Sequence, residues 1–471
     1  MHISEPDLMQ DCFNLANLRY VIFMKLNKKV KILLLLIPVF VFFEVLILLP
    51  RPQTSIAYGI PPTSGQNPWR QVGFGNELLE KTRGTFEFLK SNQQKLYLNL
   101  KLKFVGVDET NFFIESNFHN LSVRKILFQE LRNSTKNLGG NALGSIETIE
   151  KGFLIVTREG KVDVFDNLRN SLFEIGHLKG IKGDSSNVEG LRDSIVISED
   201  ETKISLASSY SLIRDVKGKL CFDVRVFLWE IHKEKTWKIE SGAQIFSTNE
   251  CVKESLAHAA GVGARLSYFK DNKSILVSLG EMNEIHPNKT FYGKVTEIFL
   301  DGTSRSRLFS QGFRNPAGMT ISNGNVYVAN QGPRGGDTIS LVTQGSDFGW
   351  PKQSFGTEYA FSGYPNPKNV EEDRKYNQPD LVFVPTYAFS DLNTSRVNRL
   401  DFWANQESSL DLLATSLKAE SLLRCRISPL RNTVIYCEPI FLGERLRSVS
   451  TNETTIAILA DSGHIFLVER Q

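Results

Sequence analysis

From about residue 101 onward the chain repeats one short unit: an apolar strand, a turn built on Gly, Asn or Asp, and a second alternating strand. Phe153 to Phe165 (FLIVTREGKVDVF) shows it most plainly. The same grammar returns in Ile195 to Ile231, Ile275 to Leu300, Asn325 to Val342, Leu412 to Ile427 and Thr455 to Val468. The connecting stretches differ widely in length, and no long amphipathic helix interrupts them. Six such units predict radial repetition, which tolerates long insertions, rather than a solenoid of fixed period. The expected fold is therefore all-β, a six-bladed β-propeller over residues 101–471. A β-sandwich is the alternative, but a single sandwich seldom needs this much chain. The last unit, Ile456 to Val468, is expected to close the ring with a strand supplied from near residue 100. Closure of that kind removes exposed sheet edges.

The first hundred residues have another character. Ile32 to Leu49 is an apolar run of 18 residues, broken only by Pro38 and Glu44. That length is near the minimum that spans a bilayer. Lys25, Lys28, Lys29 and Lys31 precede it, and Arg51 follows it. The excess of positive charge on the N-terminal side places that side in the cytoplasm. Residues 1–31 then form a cytoplasmic tail and 32–50 a transmembrane helix serving as anchor. Residues 51–100 form a short tether, rich in Pro, Gly and Ser, with a helical or irregular lead-in. The expected location is a single-pass protein of the cell membrane, its C-terminal domain on the periplasmic or extracytoplasmic side. A cleaved signal peptide is the competing reading, because Ser55-Ile56-Ala57 offers small residues at a cleavage-like spacing.

Composition narrows the function classes. A net charge of +3, spread evenly, gives no footprint for nucleic acid. No C-x-x-C spacing exists, which removes the usual zinc sites. Four cysteines follow the apolar run: Cys221, Cys251, Cys425 and Cys437. Cys425 and Cys437 bracket a hairpin whose ends could meet, and Cys221 and Cys251 bracket a two-strand stretch. Two disulfides or four buried thiols both satisfy the pattern.

The stretch Gln311 to Pro351 (QGFRNPAGMTISNGNVYVANQGPRGGDTISLVTQGSDFGWP) carries the candidate chemistry. Its glycines Gly332, Gly335 and Gly336 let backbone approach a bound group closely. Pro333 lacks an amide donor but keeps a carbonyl acceptor. Such a loop on a rigid sheet scaffold reads as a binding loop.

The segment resembles the glucose/sorbosone dehydrogenase superfamily, the PQQ-dependent soluble aldose dehydrogenases. The matching residues are Gly312, Arg314 to Pro316 and Gly318, then Gly332 to Asp337, then Phe348 to Pro351. The resemblance implies a six-bladed propeller that binds PQQ and Ca2+ and oxidises a sugar. The sugar's anomeric carbon would give a hydride to the quinone, and a quinone or cytochrome would accept the electrons. By the resemblance, Arg314 is the catalytic cation and Asn315 a cofactor contact. The carbonyls of Gly332 and Pro333 are calcium ligands, as a hard cation requires. Lys418 (in SLKAESLLR) and the pair Arg445 and Arg447 (in GERLRSV) would hold the cofactor's carboxylates. Asp337 would cap backbone amides.

The pattern breaks at the base. The family's histidine stands four residues before an arginine, and here that position is Gly261, four residues before Arg265. His258 lies three residues earlier and is the candidate catalytic base. Glu281, in SLGEMNE, also falls near the expected mouth and could serve as a carboxylate base. Ala317 stands where the family often has Gln. The alternative function is a catalytically degenerate propeller that serves as a binding module.

Overall fold

The computed structural model describes residues 107–115, 120–128, 131, 144–166, 169–178, 187–234, 237–248, 252–253, 261–282, 291–303, 305–356, 375–394 and 411–470. The expected tail, anchor and tether, together with Cys251 and His258, lie outside the described residues. What is described is a six-bladed β-propeller.

Blade 1 is Ser145–Ile149, Gly152–Val156, Lys161–Asp166 and Ser171–His177, named from the inside outward. Blade 2 is Asn187–Glu199, Lys203–Val216 and Lys219–His232, with three short strands sharing its outer edge. Blade 3 is Gly263–Phe269, Ser274–Leu279, Lys294–Phe299 and Ser306–Gln311. Blade 4 is Asn315–Ser322, Asn325–Gln331, Asp337–Val342 and Leu381–Phe383. Blade 5 is Phe389–Thr394, Asp411–Ser416, Ser421–Ile427 and Val434–Phe441. Blade 6 is Leu446–Thr451, Ile456–Ala460 and His464–Arg470, completed by Asn120–Phe128 and Val107–Glu115. Each of the six units read from the sequence lies in a different blade. The closing element is larger than expected: two N-terminal strands, not one, with Leu121 opposite Arg470 and Leu127 opposite His464.

The inner strands touch in the order of blades 1 to 6 and back to 1. They all run the same way along the axis. The Thr148 amide donates to Ser450 Oγ at 2.9 Å and the Ile146 amide to Ser448 Oγ at 3.3 Å. Between blades 5 and 6, Ser390 Oγ donates to the Leu446 carbonyl at 2.6 Å and Asn393 Nδ2 to the Val449 carbonyl at 2.9 Å. Between neighbouring inner strands, hydroxyl and amide side chains supply the cross-links.

Farther out the contacts are apolar. Six clusters of buried side chains are described, one between each pair of neighbouring blades. Blade strands are therefore buried on both faces, which explains continuous runs such as Ser274–Leu279 (SILVSL) in place of alternation. Each fully buried Leu, Ile, Val or Phe stabilises the ring by about 1.5–3 kcal/mol. On blade 5, Cys425 and Cys437 are cross-strand partners joined by a disulfide. Cys221, buried on blade 2, is also disulfide-bonded.

One side chain ties the ring across its axis. Arg265, 4% exposed, leaves the bulge at the start of blade 3. Its Nη1 donates to Asp193 Oδ1 of blade 2 at 2.9 Å and its Nε to the Ala317 carbonyl of blade 4 at 3.0 Å. Its Nη2 reaches the Arg447 carbonyl of blade 6 at 3.4 Å. Burial pushes the Asp193 carboxyl up, Arg265 pulls it back, and the nearby Asp391 raises it again, leaving it at about 7. Asp193 and Asp391 also line a cavity of about 1140 Å³ that continues along the axis toward Glu150 and Asn452, at the far ends of the inner strands.

Removing one member of a buried charge pair costs about 3–5 kcal/mol, because the other stays buried and uncompensated. Arg265→Met is expected to lose stability on that scale in urea unfolding. The double variant Arg265→Met/Asp193→Asn, which leaves no stranded charge, should lose less. An Arg265→Met protein as stable as the parent would remove the guanidinium from its place as a tie.

Candidate active site

The positions singled out in the sequence are far apart along the chain, and the ring gathers them onto one face. Arg314 immediately precedes the inner strand of blade 4. Gly332 and Pro333 leave the second strand of that blade, whose Gln331 pairs with Asn315, so they return to the same end. Lys418 lies in the turn after the second strand of blade 5, where Ser416 pairs with Phe389. Arg445 precedes the inner strand of blade 6, and Arg447 occupies the bulge between Leu446 and Ser448. Since the inner strands run in parallel, these starts share one mouth.

Arg314 is fixed at both ends of its length. Its amide donates to Asn330 Oδ1 at 3.1 Å, as does the Asn315 amide at 2.9 Å. Its Nη1 donates to the Gly332 carbonyl at 3.0 Å and to the Gln331 carbonyl at 3.4 Å. The guanidinium carbon sits 5.9 Å from the centre of the Trp350 ring, within cation–π range. Trp350 arrives there because the 343–351 segment docks on the strand end before Arg314. Phe348 and Trp350 donate amides to the carbonyls of Gln311 and Gly312 at 3.0 and 3.1 Å. Asn315 is buried, and its Nδ2 donates to Gln331 Oε1 at 3.0 Å.

The Gly-Pro-Arg-Gly-Gly-Asp loop folds back on itself. A Cβ at Gly332 would come within 2.4 Å of the Gly336 carbonyl oxygen, so only glycine fits. Asp337 holds the fold. Its Oδ1 accepts from the Gly332 amide at 3.0 Å. Its Oδ2 accepts from Thr386 Oγ1 at 2.5 Å and from the amides of Tyr387 and Ala388 at 2.8 and 2.7 Å. Burial raises the Asp337 carboxyl, and these four donors pull it back toward the ionised form. The Tyr387 carbonyl in turn accepts from the Lys418 amide at 3.1 Å. One carboxylate thus couples the loop beneath Arg314 to the loop that carries Lys418.

On blade 6 the arginine pair shares one acceptor. Arg447 donates Nε and Nη2 to the two oxygens of Asp461 at 2.7 and 3.0 Å, and Arg445 Nε donates to Asp461 Oδ2 at 3.0 Å. Arg447 is largely covered, while about half of the Arg445 side chain and the Lys418 side chain face solvent. Both arginines thus reach one carboxylate, with the bulge at Arg447 between Leu446 and Ser448.

His258 lies outside the described residues. Glu281 stands beside Arg314: its amide donates to the Arg314 carbonyl at 2.8 Å. Reading the sequence missed Asn330 and Asp461, and gave Trp350 no role beyond its place in the matched stretch Phe348 to Pro351. Asp461 had one local signal, an Asp-Ser-Gly turn two strands after a pair of arginines.

This face suits a planar polyanion. It presents cations on three successive blades, with the Gly332 carbonyl accepting from Arg314 and the buried Trp350 ring beneath that guanidinium. A hard cation at that carbonyl would share the oxygen with the guanidinium.

The chain is similar to several known proteins. Residues 144–467 match the family model described as Glucose / Sorbosone dehydrogenase. An uncharacterised protein of Synechocystis is 24% identical over 236 residues, covering 44% of this chain and 53% of that protein. The aldose sugar dehydrogenase of Escherichia coli is 27% identical over 174 residues, covering 36% of this chain and 43% of that enzyme. The matched stretches thus span about half the length of these curated relatives. Among solved structures, the apo-form of the soluble aldose sugar dehydrogenase from E. coli superposes with a TM-score of 0.56 at 21% identity, covering 70% of this chain and 96% of that one. The PQQ-bound aldose sugar dehydrogenase of Streptomyces coelicolor gives 0.51 at 13% identity, covering 77% and 99%. These likenesses establish the fold.

Asp337→Ala leaves the Gly332, Tyr387 and Ala388 amides without their acceptor, at about 1–3 kcal/mol for each donor left unsatisfied. We expect a lower melting temperature and new proteolytic cleavage within 332–337 or 386–388. Unchanged melting and cleavage would show that the carboxylate does not hold the two loops.

Proposed function

Because the chain belongs to the glucose/sorbosone dehydrogenase family, we propose that its mouth oxidises an aldose sugar with PQQ and calcium. The observation that carries this reading is the gathering of Arg314, Lys418, Arg445 and Arg447 on one face around the Asp337-braced loop. When bound, the cofactor supplies an o-quinone that accepts a hydride, and calcium polarises it. Lys418 and Arg445 hold its carboxylates, and Arg447, gripped by Asp461, keeps Arg445 in register. The carbonyls of Gly332 and Pro333 ligate the ion. Asn315 contacts the cofactor. Arg314 would stabilise negative charge developing on a quinone oxygen, and its support by Trp350 and two carbonyls limits its reorganisation.

The proposed setting is the extracytoplasmic side of a membrane, with residues 32–50 as anchor and a quinone or cytochrome receiving the electrons. Two features support it: the apolar run flanked by lysines, and the disulfides of the propeller, which form in oxidising compartments. A binding module without catalysis is the second reading. It is favoured by Gly261 at the place of the family's base and by Ala317.

Purified protein supplied with PQQ and Ca2+ should reduce an artificial electron acceptor when given an aldose, and EDTA should abolish the turnover. Arg314→Met is expected to lower kcat by about 10²–10³. Cofactor binding without oxidation of any aldose would favour the binding module, and failure to bind PQQ would end both the cofactor assignment and the proposed oxidation.

A further inference from the structure

The outer edge of blade 2 is pieced together from three short strands that pair with Lys219–His232. One of them is only Lys238–Ile239, where Lys238 stands opposite His232 and Ile239 opposite Ile231. The pairing runs on one residue further, since the Glu240 amide donates to the Glu230 carbonyl at 2.9 Å. Ile231 and Ile239 turn toward blade 1, into the cluster that holds Trp229. By alternation, Glu230, His232 and Glu240 share the opposite face of the sheet.

On that face the three side chains converge. His232 and the two glutamates each bring a ligand atom to within 4.8 Å of the others. His232 Nε2 is 3.2 Å from Glu240 Oε1, yet that nitrogen is buried and makes no hydrogen bond. A buried ring nitrogen in that state is under-satisfied. Lys203 Nζ meets Glu230 at Oε1, at 3.0 Å, which leaves Oε2 for a second partner. About half of each glutamate side chain faces water. Lys203 and Lys238, both in register with His232, are the cations of this face.

We propose that Glu230, His232 and Glu240 form a binding site for a divalent transition-metal ion, with Zn2+ as the ion that fits best. One imidazole and two carboxylates are a mixed nitrogen and oxygen set, which suits Zn2+, whereas Ca2+ takes six to eight oxygens. His232 ligates through Nε2 and each glutamate through one oxygen, and water takes the fourth, exposed position. The two carboxylates balance the charge of the ion, and Lys203 keeps its hold on Glu230 Oε1. The ion would staple the two-residue strand to the body of the blade. The site is remote from the mouth: His232 pairs with Lys203 at the start of the second strand, beside the far end of the inner strand. It is therefore separate from the calcium proposed at Gly332 and Pro333, and does not rest on that reading.

The test uses the full chain, stripped with EDTA and free of PQQ, titrated with Zn2+ against a chromophoric chelator. The parent should bind Zn2+, and its melting temperature should rise with Zn2+ concentration. Ca2+ at the same concentrations should not displace the bound Zn2+. His232→Ala should bind one Zn2+ fewer, or bind it at least about 10–100-fold more weakly, and lose the melting shift. Without metal, its melting temperature should match the parent's. Glu240→Gln, which keeps the side chain's size, should also weaken binding by at least about 10-fold. His177→Ala, at the outer edge of blade 1, should bind as the parent does. A parent that binds no Zn2+, or Zn2+ binding unchanged in His232→Ala, would overturn the assignment. Either result leaves the sugar dehydrogenase reading standing.

Discussion

Every blade of this ring is a sheet buried on both faces, and such a sheet is stable only between two neighbours. That constraint governs the rest. The apolar clusters lie between blades, so no blade owns a complete core. A ring of this kind must shut, or its two end blades would each expose an apolar face. The chain shuts it by bringing Asn120–Phe128 and Val107–Glu115 to the outside of the three C-terminal strands. Blade 6 then joins the others through Leu121 and Val123 on one flank and Ile126 and Phe128 on the other.

Closure alone leaves a hole, and what fills it differs along the axis. Small hydroxyl side chains link the inner strands, and Arg265 crosses between blades 2, 3, 4 and 6. Its acceptors include the carbonyls of Ala317 and Arg447, each within a few residues of a cation at the mouth. The same guanidinium that binds the blades together therefore sets the floor beneath Arg314 and Arg447. Above that floor, Asp337 does on the loops what Arg265 does on the strands: one buried charge is satisfied by the segments at Gly332 and at 386–388. Asp461 works within blade 6, where it holds Arg445 and Arg447 together.

The second and third strands of the blades were legible because both their faces are buried and their turns are marked by glycine and asparagine. Inner strands were harder to see. Phe389–Thr394 (FSDLNT) and Ser145–Ile149 (SIETI) are short and polar, since at the axis they meet other backbones and not an apolar core. The closing strands were misplaced and undercounted because pairing between the two ends of a chain leaves no periodic trace near either one. At the mouth, the Arg-Asn-Pro and Gly-Pro-Arg-Gly-Gly-Asp stretches stood out, being local in sequence. Asp461 did not, because its meaning comes from the register that sets Leu446 against Ala460. Gly261 marked a departure from the family's pattern, and its own letters do not say what replaces the histidine.

The way the ring is shut also orders its birth on the ribosome. Asn120–Phe128 is made before any of the other five blades, yet its partner strand His464–Arg470 is made only after blade 5. At ordinary elongation rates the interval is on the order of tens of seconds. During it an apolar ribbon such as Leu121, Val123 and Ile126 must be kept from pairing with the wrong edge, whether its own nascent blades or another chain. A ribosome that stalls before His464–Arg470 leaves a propeller with an open seam, not one merely shortened.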